Sequence, residues 1–470
     1  MCWLPSILSP LIANFRRKLK FQLSIVKETD LIIIGAGPGG YRAAEYAAKN
    51  GLKVIIFEAG YVGGTCLNVG CIPTKSFARD AEIIQTLNNA EDFGLNGLDY
   101  EFDIQKVINR KNEVIASLRS GIETLLSHPN ITLVKAEAAF KDAHTVVADG
   151  EEYSASHIII ATGSVPKSLR LEKPAARRVL DSSDLLSIDE LPQRLCIIGA
   201  GVIGMEFASI FNAFGTEVTV VEFLKECLPV LDSDIAKRLR KSLEKQGVTF
   251  HMQSSVTAIT EEGVVFTDKK GNAVTVEADE VLMAVGRAPR VFDHFSRAGF
   301  EYSERTGIQV NEHLQTTVPH IYAIGDVNAR QMLAHAAEMQ GIHVVNQILG
   351  KTDDIRLDIM PAAIFTLPEA ACVGLSEDAC KEQGREYVCR KSFWRANGKA
   401  LAMNESEGLL KLIATPQGDI LGCHAFGAHA ADLIQEVSAL MCRNTTVEQL
   451  SHIVHIHPTL SEILHSAAEG

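Results

Sequence analysis

Between Gly63 and Lys75 the chain reads GGTCLNVGCIPTK, which sets two thiols, Cys66 and Cys71, five positions apart. The run reads as a loop entering a helix, and a helix start stabilises a thiolate through its positive end. Lys75 follows Cys71 by four residues, on the same helical face, and adds a second cationic influence. A dithiol made acidic in this way is equipped for thiol–disulfide exchange. The bland alternative is a pair that packs as small apolar side chains. The glycine-rich frame around the pair argues against it.

A second candidate lies near the end of the chain, in HIVHIHPTLSEIL. It holds His457, followed by Pro458, and Glu462. An imidazole moves protons near neutral pH, and a carboxylate beside it orients the ring and raises its basicity. His452, His455 and His457 together suggest a metal site, but no acidic or cysteine partner has ligand spacing. No metal is expected, and His452 and His455 read as structural.

Composition limits what surrounds these groups. With 470 residues, 46% of them hydrophobic and 22% charged, the chain has the size and make-up of a globular enzyme of about three domains. A formal net charge of −13 excludes a nucleic-acid partner, which needs a basic footprint. A basic protein partner remains open. Of ten cysteines, eight (Cys2, Cys196, Cys227, Cys372, Cys380, Cys389, Cys423 and Cys442) sit singly, and most of these read as buried small apolar residues. A reducing compartment follows. Residues 1–29 are read as a leader. Their stretch MCWLPSILSPLIANFRRKLKFQLSIVK has no acid, and its apolar part precedes its basic part, the reverse of a secretory signal. Pro5 and Pro10 break it short of a membrane span. Two readings stay open, a mitochondrial-type presequence or a disordered or misassigned leader, the second preferred.

The elements that must position the thiols are legible as repeats. DLIIIGAGPGGYRAAEYAAKNGLKVIIFEAG reads as strand, glycine-rich turn, helix and strand, with Gly35, Gly37 and Gly40 in G-x-G-x-x-G and Glu58 closing the second strand. LCIIGAGVIGMEFASIFNAFGTEVTVVEF repeats the unit with Gly199, Gly201, Gly204 and Glu222. First glycine and acid are 23 positions apart in both copies. Each unit is echoed by an apolar strand ending in a Gly/Pro turn, at Thr162 and Gly163 and again at Gly286. Near Pro319 the chain returns to the first unit through TTVPHIYAIGDV, which carries Asp326. The fold class is therefore α/β, with two Rossmann-like dinucleotide-binding domains, the second inserted in the first, and a C-terminal α+β domain. The expected boundaries are 30–155 and 286–350 for the first domain, 156–285 for the second and 351–470 for the third.

Gly63–Lys75 resembles the redox-active disulfide segment of the flavin-dependent pyridine nucleotide–disulfide oxidoreductases, and GGTCLNVGCIP is most similar to that of the dihydrolipoyl dehydrogenases among them. The likeness runs from about Asp30 to Gly470. It implies FAD on the first fingerprint, with Glu58 on its ribose, Asp326 at the ribityl and pyrophosphate region, and Met332, Leu333 and Ala334 along the flavin. Gly64, Thr65, Thr162, Gly163 and Gly286 are further cofactor-binding candidates. Lys75 is expected near the flavin, paired with Glu206. The second fingerprint takes the nicotinamide nucleotide, and Glu222, with no arginine cluster after it, selects NAD over NADP. HPTLSE matches the family's base motif, in which His457, held by Glu462, reaches the disulfide of the other subunit. The third domain is then a dimerisation domain and the protein a homodimer. The implied reaction is oxidation of dihydrolipoamide through Cys66–Cys71 and FAD to NAD+. Implied partners are the lipoyl domains and core of 2-oxoacid dehydrogenase or glycine cleavage complexes, with no nucleic acid and no membrane. The short linker before Gly63 suggests a bacterial, cytoplasmic type; the mitochondrial matrix is the alternative if the leader is a presequence. Two other functions stay open, a glutathione-reductase-like disulfide reductase and a chiefly structural subunit of such a complex.

Overall fold

The structure, a computed structural model, describes residues 26–171 and 175–470. Most of the leader expectation lies outside these residues, although its last part, from Lys27, belongs to the first strand.

Leu31–Ile34 is an apolar run buried on both faces, the condition for a central parallel strand. Strand Lys27–Ile34 pairs in parallel with Val54–Phe57 on one side and Glu151–Ile160 on the other. Ile131–Val134 extends the sheet beyond Val54–Phe57. Ile321–Ala323 returns from far along the chain to pair in parallel with Glu151–Ile160. The second unit is built in the same way. Arg194–Ile198 lies between Glu217–Glu222 and Glu280–Met283, all parallel, with Thr249–Met252 outside. The boundary expected between residues 155 and 156 falls inside strand Glu151–Ile160, whose whole length belongs to the first sheet. The crossing comes later, where Ser164–Pro166 and Arg287–Pro289 form a short antiparallel ladder between the units.

In both units a strand enters a glycine turn and leaves as a helix, Pro38–Lys49 or Val202–Ala213. The third glycine of each motif lets helix and turn touch. A Cβ on Gly40 would stand 1.9 Å from the Gly35 carbonyl oxygen, and one on Gly204 would stand 2.0 Å from that of Gly199.

The third unit is a five-stranded antiparallel sheet, in the order Ala362–Ile364, Ala370–Gly374, Ile420–Gly427, Gly408–Ala414 and Val388–Phe393. Helices Ala430–Cys442 and Glu462–Glu469 pack on it. A buried charge cluster joins it to the second unit. Lys411, 2% exposed, donates to Asp232, 1% exposed, at 2.5 Å, and also pairs with Glu377. Among the described residues no helix is long and apolar enough to cross a membrane.

Candidate active site

The two glycine loops and the cysteine pair open onto one cavity of about 2050 Å³, beyond the ~300–1,000 Å³ of an ordinary small-molecule pocket. Gly35, Gly37, Glu58, Gly64 and Thr65 line it from the first unit, with Thr162 and Gly163 beside them. Gly199, Gly201, Glu222 and Gly286 line it from the second. Asp326, Met332, Leu333 and Ala334 complete the wall where the chain returns. Gly40 and Gly204 lie beneath it, buried in helix–turn contacts.

This wall suits two dinucleotides. Neither helix Pro38–Lys49 nor helix Val202–Ala213 has a side-chain cap, so their first amides are left to a ligand. A Cβ on Gly201 would meet no protein atom within 4 Å. The strand-end acids are tied down identically. Glu58 accepts from the Ala36 and Gly60 amides, each at 2.8 Å. Glu222 accepts from the Ala200 amide at 2.5 Å and the Leu224 amide at 2.7 Å. Each carboxylate is thereby fixed at its loop with lone pairs to spare for ribose hydroxyls.

The cysteines sit at the join of two helices. Cys66 lies in Gly64–Val69, and Cys71 is the first residue of the eighteen-residue helix Cys71–Asn88. Gly64 holds φ +57°, and a Cβ there would come within 2.7 Å of the Gly37 Cα, so the redox segment is packed directly on the first glycine loop. Both cysteines are free thiols. Their chemistry is split. The Cys66 thiol, hydrogen-bonded to Cys71 and partly buried, is pushed well up. The Cys71 thiol is brought down to about 7, chiefly by the Cys66 hydrogen bond and further by Lys75, against the opposing effect of burial.

Lys75 is held from two sides. Its Nζ donates to both carboxylate oxygens of Glu206 at 2.8 Å and stands 4.4 Å from the centre of the Phe365 ring. Glu206 is buried and also accepts from the Phe365 amide at 2.9 Å. Burial pushes the Asp326 carboxyl up, and the Ser164 hydroxyl, donating at 2.5 Å, partly offsets this. Arg287 Nε donates to the Ser164 hydroxyl at 2.7 Å.

Sequence reasoning did not single out Phe365, Ser164 or Arg287. Arg287 stands beside Gly286 in a turn that was read only for its glycine and proline. Phe365 and Ser164 carry no local signal, because their partners are far away in sequence.

His457 and Glu462 do not line the cavity. His457 Nδ1 lies 2.9 Å from Glu462 Oε1, and its side chain is 80% exposed. Glu462 also accepts from the Thr459 amide, which, followed by His457, holds its carboxyl below the usual range. Within one chain the dyad and the dithiol are therefore not assembled together. The described residues contain no group of three or more histidine, cysteine or acidic side chains arranged to hold a metal ion.

A twin-nucleotide cavity with a dithiol in its wall defines a nucleotide-dependent disulfide oxidoreductase. Residues 29–341 match the family described as pyridine nucleotide-disulphide oxidoreductase, and residues 360–468 match its dimerisation domain. The chain belongs to this family. It is 37% identical to dihydrolipoyl dehydrogenase of Bacillus subtilis over 93% of this chain and 97% of the relative. It is also 37% identical to mitochondrial dihydrolipoyl dehydrogenase of Pisum sativum, over 94% of this chain and 91% of that one. Among solved structures, the HOCl-induced flavoprotein disulfide reductase RclA from Escherichia coli superimposes with a TM-score of 0.82 at 30% identity, covering 94% of this chain and 99% of its own.

Proposed function

We propose that the protein is a homodimeric flavoprotein that oxidises dihydrolipoyl groups to lipoyl groups and delivers the electrons to NAD+. The observation that carries this reading is the Cys66–Cys71 pair in the wall between the two nucleotide loops, with Cys71 beside Lys75. Full-length relatives named dihydrolipoyl dehydrogenase supply the substrate class.

The residues divide the work. Gly35, Gly37 and the first turn of helix Pro38–Lys49 hold the pyrophosphate of FAD, Glu58 its ribose and Asp326 its ribityl chain. Gly199, Gly201 and Glu222 do the same for NAD+, and the Glu222 carboxylate repels a 2′-phosphate, which disfavours a glutathione-reductase-like use of NADPH. FAD, when bound there, would supply the two-electron chemistry that links the dithiol to NAD+.

In the oxidised protein Cys66 and Cys71 share a disulfide. One substrate thiol, its proton taken by His457 of the partner subunit, attacks Cys66; the sulfur–sulfur bond breaks and Cys71 leaves as thiolate. The second substrate thiol then attacks the substrate sulfur bonded to Cys66. Cys66 is released as a thiol carrying the second substrate proton, in keeping with its raised pKa, and the substrate departs as a cyclic disulfide, two electrons poorer. Lys75, fixed by Glu206, stabilises the Cys71 thiolate. Glu462 orients the imidazole through its contact with Nδ1.

The natural substrate is then a lipoyl domain of a 2-oxoacid dehydrogenase or glycine cleavage complex, and the setting a reducing compartment such as a bacterial cytoplasm. Cys71→Ser should abolish dihydrolipoamide turnover while NADH still bleaches the flavin. Retained lipoamide turnover in that variant would overturn the assignment.

A further inference from the structure

The segment Ile453–His457 connects helix Val447–Ser451 to the turn before helix Glu462–Glu469, and most of it faces solvent. Val454 is 96% exposed and Ile456 78%. One side chain turns inward. The His455 ring is 5% exposed, with Nε2 3.0 Å from Glu436 Oε1 on helix Ala430–Cys442 and Nδ1 2.9 Å from the Ile453 carbonyl oxygen. Oxygen atoms of two different elements thus face the two ring nitrogens, and the contact with Glu436 anchors the ring to helix Ala430–Cys442.

The other titratable groups facing this ring come from helix Glu462–Glu469. The His465 ring lies 5.6 Å away, centre to centre, and is itself within 3.4 Å of Glu469. The charge of His455 also reaches Glu462, adding in a minor way to the depression of that carboxyl.

His457 is thus bracketed. Glu462 holds its ring from the C-terminal side, and the inward bond of His455 fixes the chain two residues ahead of it. The exposed side chains of Val454 and Ile456 give that stretch no packing within the chain. Proton transfer tolerates little misplacement, and a shift of about 1 Å costs about 100-fold in rate. We propose that Glu436 and His455 are a positioning pair for His457, holding its loop so that the imidazole meets the thiol of a dithiol substrate in one place. Neither touches reacting atoms. The inference rests on the dihydrolipoamide reading of the site.

The test is a double-mutant cycle on the FAD-loaded dimer, with Glu436→Gln, His457→Ala and both together. Turnover with dihydrolipoamide and NAD+ is compared with electron transfer from NADH to a one-electron acceptor, which needs no base. Glu436→Gln should lower kcat for dihydrolipoamide by about 30- to 100-fold with KM little changed. The NADH-to-acceptor rate should stay within about twofold, and no further loss should appear when Glu436→Gln is added to His457→Ala. The same loss in both backgrounds, or none in either, would overturn the proposal. Amide hydrogen exchange gives a readout that needs no substrate. Residues 453–459 should exchange about tenfold faster in Glu436→Gln, with the preceding helix unchanged. Unchanged exchange would also overturn it. Wild-type protein inert to dihydrolipoamide, with exchange altered as expected, would refute the substrate and leave the pair standing.

Discussion

At Cys71 a hydrogen bond from Cys66 and the charge of Lys75 outweigh burial and bring the thiol to about 7. The group is a thiolate above that pH and a thiol below it. Titration of the dithiol form, followed by thiolate absorbance, should therefore show a step near pH 7 that disappears in Cys71→Ser. A step only at the ordinary thiol value of about 8.5 would contradict the local electrostatics. The cysteine pair, the strand-end acids and the His-Pro motif could all be read from sequence, because each depends on spacing within one short segment. Phe365 against Lys75, Ser164 against Asp326 and Glu436 against His455 could not. Their contacts are made by tertiary packing, and no local pattern announces them.

At the scale of elements, duplication made the fold legible. Two identical spacings of glycine and acid led to two sheets whose glycine-turn strands pair in parallel, with Glu58 and Glu222 making the same pair of amide contacts. The domain boundary was read less well. The limit expected between residues 155 and 156 divides Glu151–Ile160, whose apolar end Ile158–Ile160 and polar-rich start pair along one sheet. The joint between the second and third units was not read at all. Asp232 caps helix Ser233–Lys245 and accepts from the Glu377 amide at 3.1 Å, while Asp378 accepts from the Ser233 amide at 2.8 Å, so the two helix starts cap each other. Lys411 neutralises the carboxylates gathered there. Burial works against its charge, but the bonds to Asp232 and Glu377 outweigh this and raise its pKa. Lys411→Met leaves Asp232 buried and Glu377 half-buried without their cation and should cost about 3–5 kcal/mol of stability. Thermal unfolding of the cofactor-saturated protein measures it, and a loss below about 1 kcal/mol would mean that the cluster is relieved in some other way.

At the scale of the whole molecule, one chain keeps the dithiol and the His457–Glu462 pair apart. The dithiol lines the cavity, His457 does not, and its loop presents Val454 and Ile456 to solvent, which suits a face covered in a dimer. The family's dimerisation domain occupies this part of the sequence. If each site takes its base from the other subunit, two inactive variants complement one another. Random mixing of Cys71→Ser and His457→Ala subunits should make about half the dimers hybrid, each with one intact site, and restore about a quarter of wild-type turnover. No recovery, with hybrid dimers demonstrated by mass, would place base and disulfide in one chain. The central claim is tested most directly by the initial rate of NAD+ reduction by dihydrolipoamide with the purified flavoprotein, with NADP+ in parallel. Fast turnover with NAD+ and little with NADP+ is the expected result. A flavin that NADH reduces in protein that leaves dihydrolipoamide untouched would contradict the substrate and send the search to another disulfide.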